Sequence, residues 1–190
     1  MADSAVRWQP PALAAASPDE SAWMRVLPPA SRIVIHGDAT ARSAIGRAFD
    51  VAFAEEACRA LTRNGRTTLW LGPDEYLLIG ALADTEPGVI ARMREDLEGV
   101  AHALVDVSHR QFALEVRGPY AAVILNAGCP LDLDLSEFPV GMCTRTVFAK
   151  ADIVLWRTGE DIFRVEVWRS FAGYVAGLLR EIAREFMPVP

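Results

Sequence analysis

The alternation of apolar and polar residues divides most of the chain into two similar series of elements. The first series reads as a strand, a helix, a hairpin and a second helix, in the segments "SRIVIHGD", "ATARSAIGRAFD", "TTLWLGPDEYLLIG" and "EPGVIARMREDLEG". The second series repeats this order in the segments "FALEVRGP", "YAAVILNAG", "KADIVLWRTGEDIFRVEVW" and "SFAGYVAGLLREIAREF". The pattern therefore predicts a β-α-β-β-α unit that occurs twice.

Landmark residues recur in the second series at a nearly constant spacing. The matching pairs are 69–70 with 155–156, 89–90 with 174–175, and 36–37 with 117–118, at offsets of about 86, 85 and 81 residues. In particular, Trp70 is matched with Trp156. We therefore predict an α+β fold of two fused ferredoxin-like repeats, residues 31–100 and 101–190, which together form one compact domain. Each repeat is expected to be an antiparallel sheet with helices on one face.

The predicted strands differ in how many of their faces are apolar. In the last hairpin, apolar residues alternate with Arg164, Glu166 and Trp168, which is typical of a half-buried antiparallel strand. Residues 76–79, "YLLI", are instead apolar on both faces. Such a strand needs a cover on its second face, which either the sheet of the other repeat or a partner chain can supply.

Residues 1–30 are rich in Ala, Pro and Ser and are predicted to form an extended amino-terminal arm. The arm carries Trp8 and Trp23, and aromatic side chains in such a segment need a surface to lie on. That surface belongs either to this chain or to another one. Together with the tryptophan before the first hairpin turn, this makes Trp8, Trp23 and Trp70 our candidates for an interface.

Composition excludes several classes of function. The formal net charge is −6 and no basic cluster occurs, so we expect no nucleic-acid partner and no anionic membrane surface. No apolar run approaches the roughly 18 residues of a membrane span, and the amino terminus does not resemble a signal peptide. The three cysteines lack C-x-x-C spacing, which argues against a zinc site or a disulfide framework. We therefore expect a cytoplasmic globular protein.

The adjacent carboxylates Asp74 and Glu75 are candidates for an acid–base pair, which would require environments that separate their pKa values. The alternative is a solvated hairpin tip. Pro73 presets the backbone for a turn, and the matching tip in the second repeat, "TGED", is acidic as well. We favour the turn.

The string "DVSHR", residues 106–110, places an aspartate, a serine and a histidine close together. A hydrolytic triad also needs an exposed nucleophile and an oxyanion hole, and no G-x-S-x-G elbow occurs. A turn in which Ser108 and Asp106 bond to neighbouring backbone is the favoured interpretation. His36 and His102 have no second ligand at metal spacing, and glycine-rich phosphate loops are absent. We therefore predict neither a catalytic residue nor a metal site on this chain.

Three strings resemble the gamma subunits of heterotetrameric sarcosine oxidases, over about residues 30–186. They are "WLGPDEYLL", "VDVSHRQFALEVRGPYAAVILNAGCPLDLD" and "FPVGMCTRTVFAKADIVLWRTGEDIFRVEVWRSFAGYVAGLL". That family is itself similar to the folate-binding domain of the glycine-cleavage aminomethyltransferases, matched here by Asp106-Val-Ser108-His109, by Gly118-Pro119, and by Asp132 with Asp134. Where those transferases carry Gly-Gly-x-x-Asp-Asp, this chain reads "AKADI" and keeps one aspartate as Asp152. The resemblance implies an aminomethyltransferase-like fold.

The resemblance also implies a function and a set of partners. Heterotetrameric sarcosine oxidase demethylates sarcosine oxidatively to glycine, with 5,10-methylenetetrahydrofolate and hydrogen peroxide formed. FAD, FMN, NAD and tetrahydrofolate are implied for the complex but none for this chain, which is expected to pack on the alpha (large) subunit in an assembly with beta and delta subunits. The alternative is a free-standing folate-binding protein that uses Asp106 and Asp152. Self-association of an isolated chain stays open as another way to cover its apolar surface.

Overall fold

The structure is a computed structural model that describes residues 22–81 and 87–186. Within these residues, two antiparallel five-stranded sheets lie face to face, and helices cover the outer face of each sheet. One apolar cluster lies between the sheets, and two larger ones lie between a sheet and its helices. This four-layer α+β arrangement confirms the predicted fold class.

The first sheet has the strand order β3-β4-β5-β2-β6. Its strands are β2 (Ser31–Gly37), β3 (Ala60–Arg63), β4 (Arg66–Trp70), β5 (Glu75–Gly80) and β6 (His102–Asp106). Helices α1 (Ala39–Phe49) and α2 (Pro87–Asp96) pack on its outer face. Helix α1 begins after Asp38, whose carboxylate accepts a hydrogen bond from the backbone N–H of Ala41 at 3.0 Å.

The second sheet has the order β1-β7-β10-β9-β8. Its strands are β1 (Met24–Val26), β7 (Gln111–Arg117), β8 (Cys143–Phe148), β9 (Ala151–Gly159) and β10 (Ile162–Trp168). Helix α3 (Ala121–Asn126), a single 3₁₀ turn (Arg169–Phe171) and helix α4 (Ala172–Ala183) follow strands of this sheet. None of the helices in the described part of the chain is long and apolar enough to cross a bilayer.

The two repeats share one topology that has one strand more than the sequence pattern predicts. Each runs β-α-β-β-β-α, and the additional strands β3 and β8 lie at equivalent sheet edges. At the opposite edge of each sheet, the edge strand comes from outside the residue range that was predicted for that repeat. Strand β6, in the predicted repeat 101–190, pairs with β2 in the first sheet, whereas β1, from the predicted arm 1–30, pairs with β7 in the second.

The doubly apolar segment is covered within the chain. Tyr76 and Leu78 pack with the helices of the first repeat, whereas Leu77 and Ile79 lie in the cluster between the sheets. Of the two covers considered for this strand, the sheet of the other repeat is therefore the one that the structure contains.

The matching of Trp70 with Trp156 is wrong by one residue. Trp70 pairs with Tyr76 and packs on the helix side of its sheet, whereas Trp156 lies between the sheets. The residue that pairs with Phe163, the counterpart of Tyr76, is Arg157. Because side chains alternate between the faces of a strand, a shift of one residue moves a side chain to the opposite face.

Candidate functional site between the two sheets

A buried ion pair connects the centres of the two sheets. Arg32 of β2 and Glu166 of β10 are 2% and 1% exposed, and Arg32 Nε lies 2.5 Å from Glu166 Oε2. Arg32 Nη2 contacts Glu166 Oε1 at 3.2 Å, and Arg32 Nη1 donates to the carbonyl of Ala30 at 3.0 Å. Arg164 Nε donates to the same carboxylate at 2.8 Å. The carboxylate of Glu166 is thus held by two guanidinium groups in a water-poor layer.

Ser108 ties the turn after β6 to strand β2 of the same sheet rather than acting as a nucleophile. Its backbone N–H donates to Asp106 Oδ1 at 2.8 Å and its hydroxyl donates to the same oxygen at 2.5 Å. Ser108 Oγ accepts the backbone N–H of Arg32 at 2.9 Å. His109 is exposed, and no hydrogen bond in the described residues joins it to Ser108. The interpretation of this string as a turn is confirmed.

The acidic hairpin tip also serves the contact between the sheets. Glu75 pairs with Arg145 of β8, and its Oε1 lies 3.9 Å from His36 Nε2. Asp74 is largely exposed and lies 3.8 Å from Arg42 Nη1. The backbone N–H of Glu75 donates to the carbonyl of Gly72 at 3.2 Å, which closes the turn. The two carboxylates therefore lie in a turn, as the sequence pattern favoured, and one of them links the two repeats.

Asp152, the second folate candidate, is exposed on β9 at the mouth of a narrow crevice between the sheets. Other polar or aromatic residues that line this crevice are Arg110, Gln111, Arg145, Glu166 and Trp168. Asp106 does not line it. The crevice encloses about 20 Å³, which is room for about one water molecule and far below the roughly 300–1,000 Å³ of small-molecule pockets.

A large open cleft lies between α1 and the loop 51–57 and has a volume of about 990 Å³. Trp70 and Tyr76 line it, and the guanidinium of Arg42 lies 5.6 Å from the Tyr76 ring centre. Burial raises the pKa of Tyr76, which donates to the carbonyl of Ala54 at 3.3 Å. Trp70, one of the interface candidates, is thus half-buried in the wall of an open cleft.

The other two interface candidates are Trp23 and Trp8, and the structure describes only the first of them. Trp23 is 8% exposed and lies in the core under the second sheet, so most of its surface is covered by its own chain. Trp8 lies outside the described residues. The role of these tryptophans in contacts with another chain stays a prediction.

Sequence reasoning missed a buried cation in the second repeat. The guanidinium of Arg157 is 4.7 Å from the Phe163 ring centre and donates to the carbonyls of Leu133, Phe138 and Glu160 at 2.9–3.0 Å. The bonds to Leu133 and Phe138 hold the loop between α3 and β8. Asp134 in this loop accepts the N–H and hydroxyl of Ser136, which lower its pKa. The loop aspartates of the family likeness therefore shape turns here.

The described residues contain no group of three or more His, Cys, Asp or Glu side chains that could hold a metal ion. The charged residues of this site instead form ion pairs across the interface between the two sheets. The fold and the site together define a duplicated α+β domain whose buried charges connect its two repeats.

The comparisons place this domain in a family. A family model described as "Sarcosine oxidase, gamma subunit family" matches residues 36–185, and the chain belongs to this family. The sarcosine oxidase subunit gamma of Corynebacterium sp. (strain U-96) is 34% identical over 123 residues, which cover 65% of this chain and 58% of that protein. The corresponding subunit from Arthrobacter sp is 34% identical over 150 residues, which cover 79% of this chain and 71% of that protein.

Two solved structures are similar to the fold. The first is a chain of the heterotetrameric sarcosine oxidase from Corynebacterium sp. U-96 in complex with pyrrole 2-carboxylate, with a TM-score of 0.79 and 27% identity, covering 88% of this chain and 86% of that chain. The second is the glycine cleavage system aminomethyltransferase T from Bartonella henselae, with a TM-score of 0.64 and 17% identity, covering 82% of this chain and 44% of that chain. The second likeness concerns the fold alone. The fold therefore agrees with the one that the sequence resemblance implies.

Proposed function

We propose that this chain is a non-catalytic subunit of a heterotetrameric sarcosine oxidase and packs on the large (alpha) subunit. The observation that supports this proposal is how the polar residues of the site are used. Arg32 pairs with Glu166 and Glu75 pairs with Arg145, and both ion pairs connect the two sheets. The polar groups of Ser108 are used within the first sheet. Such a domain suits a scaffold better than a reaction centre.

The proposal includes the chemistry of the whole complex. The assembly demethylates sarcosine to glycine and forms hydrogen peroxide and 5,10-methylenetetrahydrofolate, in the cytoplasm. FAD, FMN and NAD are held by the large and middle subunits, the one-carbon unit passes to tetrahydrofolate, and this chain holds none of these cofactors. The volume of the inter-sheet crevice, about 20 Å³, supports the absence of a cofactor at that place.

Co-expression of this chain with the other subunits tests the proposal. A tag on the large subunit is expected to retain this chain in a stoichiometric complex through affinity and size-exclusion steps. The purified isolated chain is expected to form no peroxide when sarcosine is added. Failure to associate with the tagged subunit would contradict the assignment, as would sarcosine-dependent peroxide from the isolated chain.

The alternative function, a free-standing folate-binding protein, has one observation in its favour. Asp152 is exposed and has no ion-pair partner in the described residues, so its carboxylate is available to a ligand. Calorimetric titration of the isolated chain with tetrahydrofolate separates the two functions. A binding signal that disappears in Asp152→Ala would support the alternative, and no signal is expected for the structural subunit.

A further inference from the structure

The first sheet leaves one corner of the second sheet uncovered. Ala113, Val154 and Glu166 are cross-strand neighbours on the inner face of the second sheet, and all three are buried. The next cross-strand row includes Val147 and Trp168, which are 38% and 42% exposed. The cover supplied by the first sheet therefore ends between these two rows.

The uncovered corner carries an aromatic side chain and two arginines. The guanidinium of Arg110 lies 5.1 Å from the centre of the Trp168 ring. The backbone N–H of Arg169 donates to the carbonyl of Arg110 at 2.8 Å, so the two arginines are adjacent in space although far apart in sequence. An open depression lined by Arg110, Trp168, Arg169 and Ser170 continues from the inter-sheet crevice. We call Arg110, Gln111, Trp168 and Arg169 the Trp168 corner.

A buried acceptor in this corner lacks a donor. Gln111 is the cross-strand partner of Trp168, is 7% exposed and lines the crevice. No hydrogen-bond donor in the described residues reaches its Oε1 atom. An unpaired buried acceptor costs free energy, which a donor from a second molecule would recover.

The charge of the corner is opposite to that of the chain. The chain has a formal net charge of −6, yet neither Arg110 nor Arg169 has an ion-pair partner in the described residues. Of the two carboxylates on the crevice wall, Glu166 is already bound by Arg32 and Arg164, which leaves Asp152 alone. An apolar centre with positive charge beside it fits a partner that presents an apolar side chain flanked by carboxylates.

We propose that the Trp168 corner binds an acidic peptide segment of a partner subunit. Trp168 and Val147 provide the apolar contact, and the two arginines pair with carboxylates. The Gln111 side chain turns toward the open depression, so that one N–H group of the segment bonds to its Oε1 atom. This inference rests on the proposed function, since it assumes that the chain works within a complex. It adds to that function the surface and the chemistry of the contact.

Affinity measurements on the complex test the corner. The purified chain is titrated against the assembled subunits prepared without it. Trp168→Ala and Arg110→Glu are each expected to weaken binding at least about tenfold, as removal of a hot-spot aromatic or arginine does. The matched controls are Tyr120→Ala, at an exposed position just before α3, and Arg47→Glu, beside the large cleft. Both are expected to bind within about twofold of the unchanged chain.

Two further measurements separate a binding role from a folding role. Gln111→Leu removes the unpaired acceptor, so the isolated chain is expected to be as stable as before or more stable, while its affinity for the other subunits falls. Raising the salt concentration from about 0.05 M to about 0.5 M is expected to weaken binding of the unchanged chain more than binding of Arg110→Glu.

The outcomes distinguish this inference from the function on which it rests. If the unchanged chain does not associate at all, both are overturned. If it associates, but the Trp168 and Arg110 variants bind as tightly as it does, the complex stands and the corner is not its contact. Loss of binding in Arg47→Glu instead of Arg110→Glu would move the contact to the cleft beside α1 and overturn the inference.

Discussion

Replacement of Glu166 by glutamine tests the importance of the buried ion pair between the sheets. The side chain keeps its shape and loses its charge, so two guanidinium groups lose the carboxylate that compensates them. Arg32 is 2% exposed and cannot reach water without separating the sheets. Arg164, which also donates to this carboxylate, is only slightly exposed. We therefore expect Glu166→Gln to lose much of its stability although the side chain keeps almost the same shape.

The magnitude follows from the burial of the pair. Removal of one partner of a buried ion pair costs about 3–5 kcal/mol, because the remaining charge stays in a poorly solvating environment. The total unfolding free energy of a domain is about 5–15 kcal/mol. With a urea dependence of about 2 kcal/mol per M, the unfolding midpoint of Glu166→Gln should fall by about 1.5–2.5 M.

Urea unfolding followed by far-ultraviolet circular dichroism measures this change. Glu181→Gln is the matched control, because Glu181 pairs with Arg184 on the exposed surface of the last helical turn, where an ion pair contributes about 0–1 kcal/mol. A double variant, Arg32→Met with Glu166→Leu, should be more stable than Glu166→Gln, since it leaves fewer uncompensated charges. A midpoint for Glu166→Gln that matches the Glu181→Gln control would refute the reasoning.

Three further predictions concern other parts of the chain. Trp23→Ala should lower the unfolding free energy by about 3–5 kcal/mol, because this side chain is in the core, and a loss below about 1 kcal/mol in urea unfolding would contradict that placement. Burial raises the pKa of Cys143 to about 12, so at pH 8 iodoacetamide should modify the half-buried Cys58 first, and mass spectrometry showing faster labelling of Cys143 would count against its burial. Burial acts to raise the pKa of Glu115, but hydrogen bonds from two arginines outweigh it and lower that pKa below 4.5. The stability that the ionised Glu115 contributes is therefore present above pH 4.5 and lost as the pH falls through the folded-state pKa. The difference in unfolding free energy between Glu115→Gln and the unchanged chain should accordingly shrink in acid, and a pH-independent difference would argue against the lowered pKa.

The periodicity of the sequence predicts the strands and helices with one clear apolar face. It does not reveal β3 or β8, because these strands lie at sheet edges and their residues do not alternate regularly between apolar and polar. It also cannot assign β6 or β1 to a sheet. Strand β6 follows the last helix of the first repeat directly, but β1 reaches the second sheet from the other end of the chain. Such pairing depends on which edge is free in three dimensions.

The ion pair at the centre of the site has no signal in the sequence. Arg32 and Glu166 are separated by 134 positions, and Glu166 lies on the polar face of a strand with the pattern of a half-buried one. That pattern correctly predicts two different faces on β10. The pattern does not show that the polar face packs against a second sheet instead of water. In the sequence, a buried arginine and glutamate that pair with each other look the same as two exposed charged residues.

The sequence alone therefore determined the class of fold, the duplication, the turn at the acidic hairpin and, through its resemblance, the family. Each of these depends on local propensity, on periodicity or on strings of residues that stay together along the chain. Only the tertiary structure decided that the two sheets cover each other, that Trp70 and Trp156 lie on opposite faces, and that one corner beside Trp168 stays uncovered. These features depend on register and on contacts between distant segments, where one residue of shift exchanges buried and exposed faces.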